Sequence, residues 1–147
     1  MRRRQSIPAK WLIAIDGGTL EAARRLPCGS GVLLVDLPRA GEMRELRNLA
    51  RRRNLVLVLE QPRAAVRVHG SRELRRAMLA RTPLILLSPL FRTSSHPDWK
   101  PIPRMRAGAL ARLGRRRLIA LGGMDAKRYA AIAPLGFVGW AGISAWK

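Results

Sequence analysis

The chain has 147 residues, a length that fits one domain spanning 1–147. Its 29 Lys and Arg residues against nine Asp and Glu give a formal net charge of +20 at pH 7, and 48% of its residues are hydrophobic. This composition excludes a wholly disordered chain, and no apolar run approaches the roughly 18 residues of a membrane span. The single cysteine, Cys28, excludes an intrachain disulfide framework and a multi-cysteine metal site. We therefore expect a soluble, cytoplasmic α/β domain without a membrane partner.

Short apolar runs alternate with arginine-rich helical stretches in the first half of the chain. Strands are predicted at residues 11–15, 32–35 and 55–59. A short helix capped by Thr19 follows the first strand, and a helix from Glu42 to Arg53 follows the second, with Met43 and Leu46 on its apolar face. This alternation is typical of successive βα units in a parallel sheet.

The second half continues the same pattern. A weak strand at residues 66–69 is followed by a helix from Ser71, its predicted N-cap, to Arg81. Strands are then predicted at 84–87, 118–121 and 137–143, and helices at 104–113 and 125–133. An irregular loop covers residues 88–103. The prediction is six clear strands and one doubtful strand, most of them parallel.

One connection conflicts with a regular parallel sheet. Only about five residues, 60–64, separate the third strand from the weak one. Parallel neighbours need a crossover of a dozen or more residues. Either residues 66–68 do not pair with the third strand, or a βα unit is missing at this point.

The charge comes almost entirely from arginine, with 25 Arg against four Lys distributed along the whole chain. A basic protein of this size attracts polyanions electrostatically, so nucleic-acid binding is one hypothesis for its function. A solvated basic surface, or the base composition of the genome, explains the same arginines without any such function.

Several segments of the second half resemble the thiamine-phosphate synthase / TenI family. The segment LSPLFRTSSHP resembles the family's loop after strand six, IALGGM its glycine pair after strand seven, and GWAGISA its strand eight. The segment VHGSREL, which contains His69, resembles strand five. The resemblance covers about residues 66–146, whereas the first 65 residues match only as a βα pattern.

This resemblance implies a truncated TIM (βα)8-type barrel of about six to seven mostly parallel strands. Aligning His69 with strand five leaves no room for the family's third helix, fourth strand and fourth helix. The implied internal deletion lies near 60–65, and complete barrels of this type usually have at least about 200 residues. Self-association into a homo-oligomer is one way to cover the resulting gap.

The resemblance also implies a phosphate site at the ends of the last strands. Glycines there let backbone N–H groups approach a phosphate, the loop hydroxyls donate hydrogen bonds, and His96 stands where many relatives have lysine. Taken singly, each segment is also explained as a turn or a solvated loop. The predicted phosphate-binding residues are Thr93, Ser94, Ser95, His96, Gly122, Gly123, Gly142 and Ser144.

The remaining catalytic machinery of the family is depleted in this chain, so no catalytic residue is assigned. Asp36 stands where the family has a glutamine, Arg39 is out of register as a replacement for its lysine, and the strand-four aspartate is missing. Glu60 is the one candidate Mg²⁺ ligand, with a simple strand-end acid as the alternative. Pro89 occupies the place of the TenI histidine, and His69 has either a core or a catalytic role.

Three functional hypotheses follow. The first is a thiamine-phosphate synthase-like transferase, joining hydroxymethylpyrimidine diphosphate to thiazole phosphate with Mg²⁺ if it is active, and with weakened or lost catalysis. The second is a degenerate binder of phosphorylated ligands. The third is a basic nucleic-acid-binding protein, which steep salt dependence would distinguish from the first two.

Overall fold

The computed structural model describes residues 6–15 and 17–146 as seven strands and five helices. The helices are α1 (Thr19–Arg25), α2 (Ala40–Arg53), α3 (Ser71–Leu79), α4 (Arg104–Leu113) and α5 (Ala126–Ile132), and a 3-10 turn at Ala133–Leu135 follows α5. The strands are β1 (Lys10–Ala14), β2 (Gly31–Leu34), β3 (Val56–Leu59), β4 (Ala65–Val68), β5 (Leu84–Leu87), β6 (Leu118–Leu121) and β7 (Gly139–Gly142).

The strands form one parallel sheet in the order β3-β2-β1-β7-β6-β5-β4. The pairing of β1 with β7, in which Trp11 lies beside Ala141, joins the beginning of the chain to its end and curves the sheet into a nearly closed barrel. The predicted α/β barrel is confirmed. The doubtful strand exists as β4, which pairs with β5 and not with β3.

The barrel is interrupted between β3 and β4, the two edge strands of the sheet, and we call this interruption the seam. A tight turn joins the two strands, with the N–H groups of Ala64 and Ala65 donating to the Gln61 carbonyl at 2.9 and 3.0 Å. No crossover helix lies between them in this described segment. The predicted departure from a regular barrel at this point is therefore confirmed.

Alternate side chains of each strand pack inside and outside the barrel. Trp11, Ile13, Leu33, Leu86 and Ile119 belong to a buried cluster that contains no helix residue, so it fills the barrel interior. Two further clusters join the other faces of the strands to the helices. Because both faces of β1, β2, β5, β6 and β7 are buried, these strands appear in the sequence as continuous apolar runs.

Two predicted helix caps are wrong by one residue. Thr19 is the first residue of α1 and Gly18, with φ at 90°, precedes it as the N-cap; Gly70 likewise precedes Ser71 at α3. A hydroxyl residue at the first helical position resembles a cap in sequence, although the capping position itself lies one residue earlier. None of the described helices combines the length and apolarity required to cross a membrane.

Candidate functional site at the barrel mouth

The carboxyl ends of the strands surround a cavity of about 340 Å³, which we call the mouth cavity. Residues that directly follow six of the seven strands line it, so it lies at the end of the barrel where sites of this fold are built. Its polar lining consists of an ion pair, two imidazoles, an indole and several hydroxyl groups. The residues that carry these groups are Glu60, Arg67, His69, Ser88, Thr93, Ser95, His96 and Trp99.

A smaller cavity of about 40 Å³ adjoins the mouth cavity between the ends of β6 and β7, and we call it the inner cavity. It brings together six of the eight predicted phosphate residues from three separate segments of the chain. Ser94 lines a neighbouring cavity instead, and His96 lines the mouth cavity. Binding of phosphate here stays a prediction. The six residues are Thr93, Ser95, Gly122, Gly123, Gly142 and Ser144.

Close packing gives the glycine pair a structural requirement that the sequence did not reveal. The loop after β5 runs against the end of β6, and the Phe91 N–H donates to the Gly122 carbonyl at 3.1 Å. A Cβ on Gly122 would lie 2.7 Å from the Pro89 Cα, and one on Gly123 would collide with the Arg92 carbonyl oxygen. Both glycines also have positive φ, at 101° and 59°. A side chain at either glycine would therefore collide with the protein itself, whether or not a ligand is bound.

Two residues that line the inner cavity carry unused backbone hydrogen-bond donors. Among the described residues, no hydrogen bond engages the backbone N–H of Gly123 or that of Ser144, and both residues line this cavity. Such groups need water or a ligand as a partner. Backbone donors at a loop between strand and helix suit a phosphate oxygen, which carries the negative charge that they favour.

An aromatic cluster forms one wall of the mouth cavity. The Trp99 indole stacks on the His96 imidazole with ring centroids 4.0 Å apart and meets the His69 ring edge-on at 5.1 Å. His69 Nδ1 lies 3.0 Å from the Ser88 carbonyl oxygen and 3.1 Å from its hydroxyl. His69 is exposed at the mouth and is not a core residue.

Trp99 was missed as a site residue, because its sequence pattern indicated only packing. The residue is 43% exposed and lines the mouth cavity. Its place three residues after His96, in the loop predicted to bind phosphate, was the one available signal. The packing interpretation is confirmed for Trp140, which is buried and stacks on Trp146 with centroids 5.0 Å apart.

The candidate metal ligand is engaged by a cation. Arg67 Nε lies 3.1 Å from Oε1 and 3.0 Å from Oε2 of Glu60, although only the contact with Oε1 has hydrogen-bond geometry. No group of three or more His, Cys, Asp or Glu side chains within 6–15 and 17–146 is placed to hold a metal. A lone carboxylate beside a guanidinium does not fit Mg²⁺, which prefers several oxygen ligands. The described residues therefore do not form a Mg²⁺ site.

The strand-two candidates lie apart from the mouth cavity. Asp36 and Arg39 line a separate cavity of about 480 Å³, together with Glu42 at the start of α2. The structure therefore places neither residue in the mouth or inner cavity. Pro89 does line the mouth cavity, at the position where the resemblance implied a histidine.

Comparison with known proteins gives a fold but no close relative. No family model matches the chain, and no curated protein matches it. A solved thiamine phosphate pyrophosphorylase from Pyrococcus furiosus superposes with a TM-score of 0.74 at 13% identity, covering 97% of this chain and 89% of that one. A thiamine phosphate pyrophosphorylase from Bacteroides thetaiotaomicron gives a TM-score of 0.57 at 12% identity, covering 94% and 83%. The chain therefore shares the fold of these solved structures over nearly its whole length.

Proposed function

We propose that the chain is a thiamine-phosphate synthase-like protein that binds a phosphorylated thiazole or pyrimidine at the barrel mouth. One observation carries the proposal: six residues predicted to bind phosphate surround a single cavity beside the mouth cavity. The fold shared with two thiamine phosphate pyrophosphorylases supports it.

The two cavities suit two parts of one ligand. The inner cavity offers the free N–H groups of Gly123 and Ser144 and the hydroxyl of Thr93 to a phosphate. The mouth cavity, at about 340 Å³, has room for a heteroaromatic ring beside the Trp99 indole. Stacking against an indole favours flat rings with little regard to their substituents. In this arrangement the bound phosphate orients the ligand, and the indole makes apolar contact with its ring.

We propose that catalysis is weakened or lost. Glu60 is held by Arg67, and Asp36 and Arg39 line a different cavity. Stabilising a departing diphosphate requires positive groups or a metal at the reacting atoms, and losing one such group typically costs on the order of 10²–10³ in rate. We expect the chain to fail to rescue a strain that lacks thiamine-phosphate synthase. Full rescue would contradict this part of the proposal.

Calorimetric titration with thiazole phosphate, thiamine phosphate and hydroxymethylpyrimidine diphosphate, with and without Mg²⁺, tests binding. Ser144→Asp places a carboxylate at the inner cavity, where two like charges about 4 Å apart near a protein surface repel by about 4 kcal/mol. We expect at least a tenfold loss of affinity in this variant. Ser71→Asp is the matched control, because Ser71 is exposed at the start of α3 and lines neither cavity. Equal losses in both variants, or no saturable binding by the wild type, would overturn the proposal.

A further inference from the structure

A third cavity, of about 240 Å³, continues outward from the inner cavity, and we call it the outer cavity. The two cavities share the residues Thr93, Gly123, Met124 and Ser144. A group bound in the inner cavity therefore lies directly beside the outer one. The predicted phosphate residue Ser94, which does not line the inner cavity, lines the outer cavity.

Two guanidinium groups line the outer cavity. Arg128 is held beside it by two contacts: its Nη1 donates to the Gly123 carbonyl at 2.5 Å, and its guanidinium lies 5.3 Å from the centroid of the Phe91 ring. Arg92 enters none of the ion pairs among the described residues. Both side chains are exposed, so neither is committed to the core.

One carboxylate, that of Asp125, also lines the outer cavity and offsets part of its positive charge. Asp125 accepts a hydrogen bond from the backbone N–H of Arg128 at 2.8 Å, which is its role as the N-cap of α5. The formal charge of the three ionisable side chains in the lining is therefore +1. A guanidinium presents donors in a planar fork that matches the oxygens of a phosphoryl group. Arg128 is already positioned, so less side-chain entropy is lost when it binds an anion.

We propose that the outer cavity receives a second phosphoryl group, so that the site prefers diphosphates to monophosphates. The inference rests on the proposed function, which places the first phosphoryl group in the inner cavity. Arg92 and Arg128 are then the specificity-determining residues. The preferred ligand is either a diphosphate ester or free pyrophosphate, since both present the same pair of phosphoryl groups.

The test compares four probes by calorimetry at constant ionic strength: inorganic phosphate, inorganic pyrophosphate, thiamine phosphate and thiamine diphosphate. We expect the wild type to bind each diphosphate at least tenfold more tightly than its monophosphate. A chain of charge +20 attracts the more highly charged anion in any case. The decisive quantity is therefore the change in this ratio between variants of equal charge.

Arg92→Met and Arg128→Met are expected to lower the diphosphate-to-monophosphate ratio to about threefold or less. Lys127→Met, which removes one charge from the same helix outside the cavity, is expected to keep the wild-type ratio. Arg92→Met serves as the second variant because Arg128→Met also removes the contact with Gly123. A ratio that falls equally in the Lys127 control, or that falls in neither arginine variant, overturns this inference alone. If none of the four probes binds, the proposed function is overturned as well. Preference for pyrophosphate without preference for the thiamine ester identifies the free anion as the ligand.

Discussion

At the scale of single residues, Tyr129 offers an internal probe because it is the one tyrosine in the chain. Its hydroxyl donates to the Phe137 carbonyl at 3.2 Å, and burial raises the pKa of the phenol above its ordinary value of 10.0. Above that pH the unfolded chain loses the tyrosine proton more readily than the folded one. The unfolded state then binds fewer protons, so the free energy of unfolding falls as pH rises.

We therefore predict that this contribution is complete below about pH 10 and is lost as pH rises through the folded-state pKa. Phenolate absorbance titrations of the folded and the urea-unfolded chain measure the two pKa values directly. Tyr129→Phe should remove this part of the alkaline loss of stability. A folded-state pKa equal to or below the unfolded value would contradict the prediction.

The Glu60–Arg67 pair connects the two edges of the seam, because Glu60 directly follows β3 and Arg67 belongs to β4. The two side chains are 23% and 32% exposed, so solvent screens part of the attraction. We predict that Glu60→Gln lowers the free energy of unfolding by about 1 kcal/mol. Urea unfolding measures this loss, and Glu73→Gln on α3 is the control of equal charge change.

The same pair of variants tests the earlier interpretation of Glu60 as a Mg²⁺ ligand. If the carboxylate serves only Arg67, added Mg²⁺ leaves the stability of the wild type and of Glu60→Gln unchanged. Stabilisation of the wild type by Mg²⁺, lost in Glu60→Gln and kept in Glu73→Gln, would restore the metal interpretation.

At the scale of elements, the loop after β5 and the end of β6 act as one unit. The contact requires glycine at Gly123, whose Cβ position is occupied by the Arg92 carbonyl. We predict that Gly123→Ala lowers the free energy of unfolding by roughly 1–3 kcal/mol through overpacking and an unfavourable φ. Gly41→Ala in α2 has open space around the new methyl group and should raise stability by up to about 1 kcal/mol. Thermal unfolding of both variants tests the contrast, and a neutral Gly123→Ala would contradict it.

The elements themselves could be predicted from the sequence because most strands are buried on both faces and appear as apolar runs. The doubtful strand, β4, is only partly buried and contains Arg67. β5 and β6 have the predicted bounds, and α4 agrees as well. The seam was also predictable, since five residues cannot make a parallel crossover. β7 is shorter than predicted, at Gly139–Gly142, because the register with β1 and β6 covers only these residues. Val138 keeps one hydrogen bond to β6, from its N–H to the Leu118 carbonyl at 3.0 Å.

The features that escaped prediction depend on how the folded chain brings side chains and backbone together. The pairing of Glu60 with Arg67 requires two strand edges to face each other across the seam. The packing requirement at Gly123 comes from Arg92, some 30 residues earlier in the sequence. The place of Trp99 in the mouth cavity depends on how the 88–103 loop folds back over the barrel. Apart from the place of Trp99 three residues after His96, none of these contacts leaves a local pattern.

At the scale of the whole molecule, most of the described arginines line neither the mouth cavity nor the inner and outer cavities beside it, the exceptions being Arg67, Arg92 and Arg128. The ion pairs among the described residues involve only Arg24, with Glu21 and Glu45, and Arg67, with Glu60. Most arginines in that part of the chain therefore lack a carboxylate partner. Such a surface attracts nucleic acid with an affinity that falls steeply with salt.

We predict that the wild type and Ser144→Asp bind single-stranded RNA with the same affinity, once the effect of one additional negative charge is subtracted. We also predict that thiamine phosphate does not compete with it. Fluorescence anisotropy at several salt concentrations measures both. Saturating displacement of RNA by thiamine phosphate would contradict the separation and would place the nucleic acid at the barrel mouth.

The most direct test of a phosphate site at the barrel mouth is an amide chemical-shift titration with thiamine phosphate, which a chain of 16.4 kDa permits. We predict saturable shifts of the Gly122, Gly123 and Ser144 amides with one common dissociation constant, together with the indole N–H of Trp99. The amide shifts of α2, which connects β2 to β3 and lines neither the mouth cavity nor the inner cavity, should not change. Shifts confined to the arginine-rich helices, or shifts at the mouth that do not saturate, would contradict the claim that this barrel binds a phosphorylated ligand at its mouth.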